Sequence, residues 1–138
     1  MIKGEGNAME TVSSIEIERS KESKLATVDF NNIQFGKQFS DHMFTADYKN
    51  GEWKNLKISP YQPITLSPAC AAIHYGQSVF EGMKAYKNEE GEVFLFRPEE
   101  NAKRINKSAE RMCIPPVPQD LFMDALTQLI EIDSDWVP

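Results

Sequence analysis

The sequence predicts an α+β domain in which an antiparallel sheet packs against helices. Two observations lead to this fold class. Strand-like segments joined by turn signals occupy the middle of the chain, between residues 42 and 96. Two segments with helical periodicity follow, between residues 98 and 133. Strands followed by helices, in place of strands alternating with helices, are typical of this architecture.

The N-terminal segment differs in composition from the rest of the chain. Residues 1–24 are rich in Ser, Glu and Lys, and they show little periodicity apart from a short alternation at residues 14–18. Because such a segment buries little apolar surface, we expect residues 1–24 to be a flexible leader. The folded domain is predicted to span residues 25–138.

The first predicted hairpin lies between residues 42 and 59. Its turn is the dipeptide Asn50-Gly51, which is the strongest short hairpin signal a sequence contains. Apolar and aromatic residues flank this turn on both sides. Two antiparallel strands are therefore expected, at residues 42–49 and 52–59.

A second, shorter hairpin is predicted after an irregular crossing. Its strands are expected at residues 82–87 and 92–96, and Gly91 in the connecting loop is free to take a positive φ. Proline donates no hydrogen bond to a strand ladder, so prolines between the hairpins favour a turn-rich connection. These prolines are Pro60, Pro63 and Pro68.

Two helices are predicted after the second hairpin. Pro98 suits a first helical position, and the two glutamates after it lie where the helix dipole favours negative charge. This helix is expected to end near Pro115-Pro116, and a second helix to span residues 119–133. The apolar stripes are Ala102, Ile105, Ala109 and Met112 in the first helix, and Leu121, Phe122, Ala125, Leu126, Leu129 and Ile130 in the second.

Composition excludes several functional classes. The chain has 15 basic and 21 acidic residues, and its basic residues are scattered among acids, so no nucleic-acid surface is expected. No segment approaches the roughly 20 apolar residues of a membrane helix, and no export signal is evident, so we expect a cytoplasmic protein without a membrane partner. Cys70 and Cys113 lack the spacing of a metal or redox site and are predicted to be buried, reduced thiols.

One edge of the first predicted helix is cationic. Arg104, Ser108 and Arg111 fall on one line of the helical wheel, with Asn101 beside them. Such an edge suits a phosphate, because guanidinium offers forked donors and keeps its charge. The alternative is a solvated face with neighbouring glutamates as partners, and spacing alone favours this alternative.

A second unusual segment precedes the helix, at residues 73–82. Its aromatic and ionisable side chains are crowded between glycines, which allow a backbone to bend closely around a ligand. A tight turn whose aromatic rings belong to the core is the competing interpretation. The residues concerned are His74, Tyr75, Gly76, Phe80, Glu81 and Gly82.

The lysines offer no evident nucleophile. Lys84, Lys103 and Lys107 lie among polar or charged neighbours, where an ammonium group is a poor nucleophile. Exposed surface lysines are therefore expected, and no residue of this chain is assigned a catalytic role.

These motifs, in this order and spacing, resemble the branched-chain amino acid aminotransferases, which are pyridoxal-phosphate enzymes of the D-amino-acid-aminotransferase-like fold, also called fold type IV. The resemblance covers about a hundred residues and implies the small N-terminal domain of that fold. It is carried by FGKQFSDHM (35–43), ITLSPA (64–69), HY (74–75), FEGMK (80–84), LFRP (95–98), Asn101, Arg104, Ser108-Ala109, Arg111, LIE (129–131) and DWVP (135–138).

The resemblance implies roles for individual residues. Arg104 would bind the phosphate of pyridoxal 5'-phosphate. Phe35, Tyr75 and Phe80 would line a pocket for a branched apolar side chain, and Gly82 would let the backbone approach it. The tyrosine at the position of Tyr75 commonly serves the neighbouring subunit, so a homodimer is implied.

The implied reaction transfers an amino group between leucine, isoleucine or valine and 2-oxoglutarate. In the family the lysine that carries this chemistry lies downstream, in a large domain that this chain lacks, so we expect a fragment that is inactive alone. One alternative is a non-catalytic association module. Another is a different fold-type IV enzyme, a D-amino acid aminotransferase or an aminodeoxychorismate lyase, which the FGKQFSDHM segment disfavours.

Overall fold

The computed structural model describes residues 14–138, and within them the chain forms a small α+β arrangement, as predicted. The strands are β1 (Glu16–Ile17), β2 (His42–Lys49), β3 (Glu52–Pro60), β4 (Ala85–Lys87) and β5 (Val93–Leu95). The α-helices are α1 (Ala71–Tyr75), α2 (Pro98–Arg111) and α3 (Gln119–Ile132). Single 3-10 turns occur at Leu25–Thr27, Phe30–Asn32 and Ser134–Trp136.

Strands β2 and β3 form the predicted hairpin, in antiparallel register. Asn50 and Gly51 have φ values of 55° and 85°, the left-handed pair that a tight turn between twisted strands requires. β3 extends through Pro60, which was expected in the irregular crossing. Proline is tolerated there because it is the last residue of its strand.

The sheet containing this hairpin is mixed, whereas a purely antiparallel sheet was expected. β1 pairs in parallel with β3, and the strand order is β1-β3-β2. Lys57 of β3 forms ion pairs with Glu16 at 3.1 Å and Glu18 at 2.8 Å. The prediction of a flexible leader over residues 1–24 did not anticipate the pairing of β1 with β3. The first 13 residues of that leader lie outside the described residues.

The second hairpin forms a separate two-stranded sheet that is shorter than predicted. Gly91 takes a φ of 84° in its loop, as expected. Residues 82–84 do not join β4. Instead, the carbonyl oxygen of Gly82 accepts a hydrogen bond of 3.1 Å from the Asn101 amide of α2, which draws this part of the chain to the helix.

Helix α2 begins at Pro98 as predicted, but it ends earlier than the Pro115-Pro116 pair. Cys113 adopts a φ of 52°, and the Ile114 N–H donates to the carbonyl of Ala109 at 2.9 Å, which closes the last turn. Cys113 is exposed and Cys70 is half-buried, so the prediction of two buried thiols is wrong. The left-handed turn places Cys113 outside the packed face of the helix.

The core lies where α2 packs on α3 and where α3 approaches β2. Small side chains allow the two helices to approach closely, since Ala102 and Ala109 are buried on the predicted stripe. Ile105 is half-buried and Met112 is exposed, so only part of that stripe is covered. The buried apolar side chains of the described residues are Leu56, Ile58, Ala102, Ala109, Leu121 and Ala125.

A buried polar cluster joins β2 to the end of α3. The Asp133 carboxylate accepts the backbone N–H of His42 at 3.0 Å and lies 2.6 Å from Nδ1 of the same histidine. Nε2 of His42 accepts the backbone N–H of Ser20 at 2.8 Å. Because a backbone N–H only donates, the ring proton lies on Nδ1 and points at Asp133.

Asp41 extends this cluster to the N-terminal segment. Its carboxylate accepts the backbone N–H of Lys24, the Ser23 hydroxyl and the Trp136 indole N–H, at 2.9, 2.5 and 2.9 Å. Burial alone would raise the pKa of Asp41, but these three hydrogen bonds together outweigh it and lower the pKa. The ends of the described chain are therefore tied by satisfied polar contacts.

No helix within residues 14–138 combines the length and the apolar character needed to cross a bilayer.

Candidate functional site

The candidate site centres on Arg104, in the second turn of α2. Its side chain is 62% exposed, whereas the side chain of its partner Glu81 is only 9% exposed. Arg104 Nε donates to Glu81 Oε2 at 2.7 Å, and Arg104 Nη2 donates to Glu81 Oε1. This forked pair joins the helix to the segment that precedes β4.

Further donors hold the Glu81 carboxylate in place. Its Oε1 accepts the backbone N–H of Gly82 at 2.9 Å and the amide of Asn101 at 3.2 Å. The hydrogen bond from Arg104, followed by those from Gly82 and Asn101, lowers the pKa of Glu81 to about 2 against the opposing effect of desolvation. Glu81 therefore remains ionised throughout the physiological range.

The segment that carries Glu81 runs along α2. At one end, the Gln77 amide donates to the carbonyl of Met112 at 2.8 Å, and at the other Glu81 contacts Arg104. These two contacts place Glu81 beside the second turn of the helix.

A cavity of about 360 Å³ lies on the same helix face. Three cationic side chains, a hydroxyl and a methionine line it, and no carboxylate does. This donor set fits a phosphate, because guanidinium and ammonium groups supply charge-assisted hydrogen bonds to its oxygens. The lining residues are Arg104, Lys107, Ser108, Arg111 and Met112.

The sequence placed a cationic edge on this helix, and the structure refines it. Ser108 donates to the carbonyl of Arg104 at 3.2 Å, so its hydroxyl proton is engaged by the helix backbone. The partner of Arg104 is Glu81, whereas the alternative interpretation expected a glutamate of the helix itself, such as Glu99, Glu100 or Glu110. Glu100 instead pairs with Lys103 at 2.8 Å.

The three aromatic residues expected to line a substrate pocket are exposed to solvent. Phe35, Tyr75 and Phe80 are 104%, 85% and 90% exposed. Phe35 lies in the turn closed by Lys37 and Gln34, and Tyr75 ends α1. The core interpretation of Phe80 is therefore wrong, and the pocket remains a prediction.

Gly82 is the predicted pocket residue that the structure brings beside Arg104. Its N–H and its carbonyl bond to Glu81 and Asn101, so its position is fixed by the same contacts that hold the arginine. A Cβ atom added at Gly82 would meet no other atom of the described residues within 4 Å, its two chain neighbours aside. The three lysines considered earlier, Lys84, Lys103 and Lys107, are exposed as predicted.

Sequence reasoning missed the role of Glu81. It named this residue within an unusual segment but did not pair it with Arg104, which lies 23 residues away. Helical spacing reveals partners three or four residues apart and carries no signal for a partner outside the helix. The crowding of ionisable groups near Gly82 was the available signal.

The Glu81 pair predicts an acid-dependent loss of stability. Because the pKa of Glu81 is lowered to about 2 from an ordinary 4.5, the pair stabilises the fold above about pH 4.5 and loses this contribution as the pH falls toward 2. The difference in unfolding free energy between the wild type and Glu81→Gln should therefore shrink over that range. Urea unfolding at pH 7, 4 and 3 measures it.

The control for this prediction is the same substitution in an Arg104→Gln background, where the ion pair is absent. There the effect of Glu81→Gln should lose most of its acid dependence. Equal acid dependence in both backgrounds would show that another group, and not this pair, is responsible.

The curated proteins to which the chain is similar include several branched-chain-amino-acid aminotransferases. The chain is 50% identical over 111 residues to branched-chain-amino-acid transaminase 1 of Bacillus subtilis strain 168, covering 80% of this chain and 31% of that protein. It is 45% identical over 129 residues to branched-chain-amino-acid aminotransferase 2 of the same organism, covering 93% and 35%.

A third relative comes from another organism. The chain is 47% identical over 108 residues to the branched-chain-amino-acid aminotransferase of Mycolicibacterium smegmatis, covering 78% of this chain and 29% of that protein. The chain thus spans about a third of the length of the curated relatives it matches. No family model matches the chain. These similarities identify the chain as a relative of the branched-chain-amino-acid aminotransferases that matches the N-terminal region of those longer proteins.

Proposed function

We propose that this chain is the small N-terminal domain of a pyridoxal-phosphate-dependent branched-chain aminotransferase of fold type IV. The observation that carries the proposal is 45–50% identity to transaminases of that name over most of the chain. The cationic face of α2 supports it, because Arg104 lines a cavity that suits a phosphate.

In this proposal Arg104 anchors the phosphate of pyridoxal 5'-phosphate. That cofactor supplies the electron sink for amino-group transfer when it is bound. The chain would contribute binding and orientation. The Arg104 guanidinium, held by Glu81, would bind the phosphate on one face of α2, and Asn101 in turn holds Glu81. Lys107 and Arg111 add positive charge to the same cavity.

The substrate would be a branched-chain amino acid, with 2-oxoglutarate as the acceptor of the amino group. Phe35, Tyr75 and Phe80 supply aromatic surface for an apolar side chain once another protein surface covers them, and Gly82 leaves room beside the ligand. The exposure of these rings supports a site completed by other elements. A homodimer, with Tyr75 serving the neighbouring subunit, would supply one of them.

The chain alone is proposed to be inactive. Lys84, Lys103 and Lys107 are exposed, where an ammonium group is a poor nucleophile. The reactive lysine is proposed to belong to the part of the relatives that this chain does not match.

A hybrid enzyme tests the proposal. This chain would replace the matching N-terminal third of Bacillus subtilis branched-chain-amino-acid transaminase 1, and glutamate formation from leucine, isoleucine or valine and 2-oxoglutarate would be measured. We expect an active hybrid and no activity from the chain alone, because only the hybrid joins the phosphate site to a reactive lysine.

The unmodified transaminase is the control for folding and assay. A hybrid that folds, binds the cofactor and transfers amino groups only from D-amino acids would favour another fold-type IV enzyme. A folded hybrid that binds no cofactor would favour the non-catalytic association module.

A further inference from the structure

The donors of Arg104 divide into two sets. A guanidinium carries five N–H donors in a planar fork. Glu81 takes the side edge, since it accepts from Nε and from one N–H of Nη2. The end edge, formed by Nη1 and the second N–H of Nη2, makes no hydrogen bond to protein groups within residues 14–138. A forked acceptor such as phosphate fits this edge.

Glu81 is well suited to hold the guanidinium still. It is fixed by Gly82 and Asn101 in addition to Arg104, and its side chain is 9% exposed although the arginine is 62% exposed. An exposed arginine otherwise samples many rotamers, and a ligand must restrict them on binding. A guanidinium that is already oriented avoids part of this entropy loss.

We propose that Glu81 is a positioning residue for the anion site, which holds the side edge of the Arg104 guanidinium so that the end edge is presented to phosphate. The inference rests on the proposed phosphate role of Arg104. Glu81 has two opposing effects, because its negative charge also weakens the attraction of the site for an anion. The sign of its net effect on phosphate binding therefore decides between positioning and simple charge compensation.

Two substitutions in the 138-residue chain separate these effects, with inorganic phosphate as the probe and NMR titration as the measurement. Glu81→Gln removes the charge and one strong acceptor. Charge compensation predicts tighter phosphate binding, whereas positioning predicts binding weaker by about three- to tenfold. Glu81→Asp keeps the charge but is one methylene shorter. Positioning predicts weaker binding here also, whereas charge compensation predicts wild-type affinity.

Glu110→Gln is the matched control, since it removes one negative charge from an exposed position on the same helix. We expect phosphate affinity within about twofold of the wild type, because exposed charges are screened. Cooperative thermal unfolding of each variant verifies that it is folded.

A second measurement concerns Arg104 itself. The Nε–H resonance of Arg104 should exchange slowly with solvent in the wild type and rapidly in Glu81→Gln, because the acceptor on the side edge is weakened. Rapid exchange in the wild type would overturn the inference without reference to any variant.

The outcomes distinguish this inference from the proposed function. If the wild type binds phosphate, Arg104→Gln does not, and both Glu81 variants bind as tightly as the wild type or more tightly, then Glu81 is not a positioning residue and the phosphate role of Arg104 stands. If the wild type and Arg104→Gln bind phosphate equally, the phosphate role of Arg104 fails and the inference fails with it. Weaker binding in both Glu81 variants, with rapid Nε–H exchange in Glu81→Gln, supports the inference.

Discussion

Replacement of Asp133 by alanine should destabilise the fold by about 2–5 kcal/mol, one of the largest effects expected from a single substitution. Asp133 accepts both the backbone N–H of His42 and the ring N–H on Nδ1. Both partner groups are buried, and without the carboxylate two donors would lack an acceptor. Urea unfolding at pH 7 measures the change in unfolding free energy.

The control is Asp135→Ala, which removes an exposed carboxylate two residues further on. It should change stability by no more than about 0.5 kcal/mol. Asp133→Asn should also destabilise the fold, because an amide of the same size has one acceptor oxygen and directs an NH₂ donor toward groups that are themselves donors. Equal costs for Asp133→Ala and Asp135→Ala would show that the buried cluster adds no net stability.

Replacement of Arg104 by glutamine in the hybrid transaminase should weaken pyridoxal 5'-phosphate binding by about 10- to 100-fold, since charged hydrogen bonds to the phosphate are lost. The substitution also leaves the Glu81 carboxylate, which is 9% exposed, without its cation. Titration of the cofactor-free hybrid with pyridoxal 5'-phosphate, followed by absorbance, gives the affinity.

Arg104→Lys should fall between the wild type and the glutamine variant. An ammonium keeps the charge but lacks the planar fork needed to bind Glu81 and a phosphate at the same time. Lys103→Gln is the control, because Lys103 is an exposed cation of the same helix that pairs with Glu100. If Lys103→Gln weakens cofactor binding as strongly as Arg104→Gln, the effect is one of overall charge and not of a specific site.

Local rules predicted those parts of the fold that short-range physics controls. The first hairpin follows from Asn50-Gly51, whose left-handed conformations are accessible to these residue types and to few others. Helix α2 begins at Pro98 for a similar reason, because the fixed φ of proline suits a first helical turn. The predicted length of a strand was wrong where a tertiary contact competes with local preference. Gly82, for example, bonds to α2 and not to a neighbouring strand.

Long-range partners were beyond sequence reasoning. β1 pairs with β3 across about forty residues, and it has only two residues within a segment whose composition predicted a flexible leader. His42 and Asp133 lie 91 residues apart. Hydrophobic periodicity shows which face of an element is buried but not which polar group meets another, because many arrangements satisfy the same pattern.

The candidate site likewise has features that the sequence predicts and features that only the tertiary structure shows. The sequence by itself determined the family resemblance and the cationic edge of α2, since both depend on residue types at fixed spacings along one element. Only the tertiary structure decided that Glu81 occupies the side edge of Arg104 and that Phe35, Tyr75 and Phe80 are exposed within the described residues. The physical reason is that ion pairing and burial depend on distances between elements, and those distances are set by packing of the whole chain.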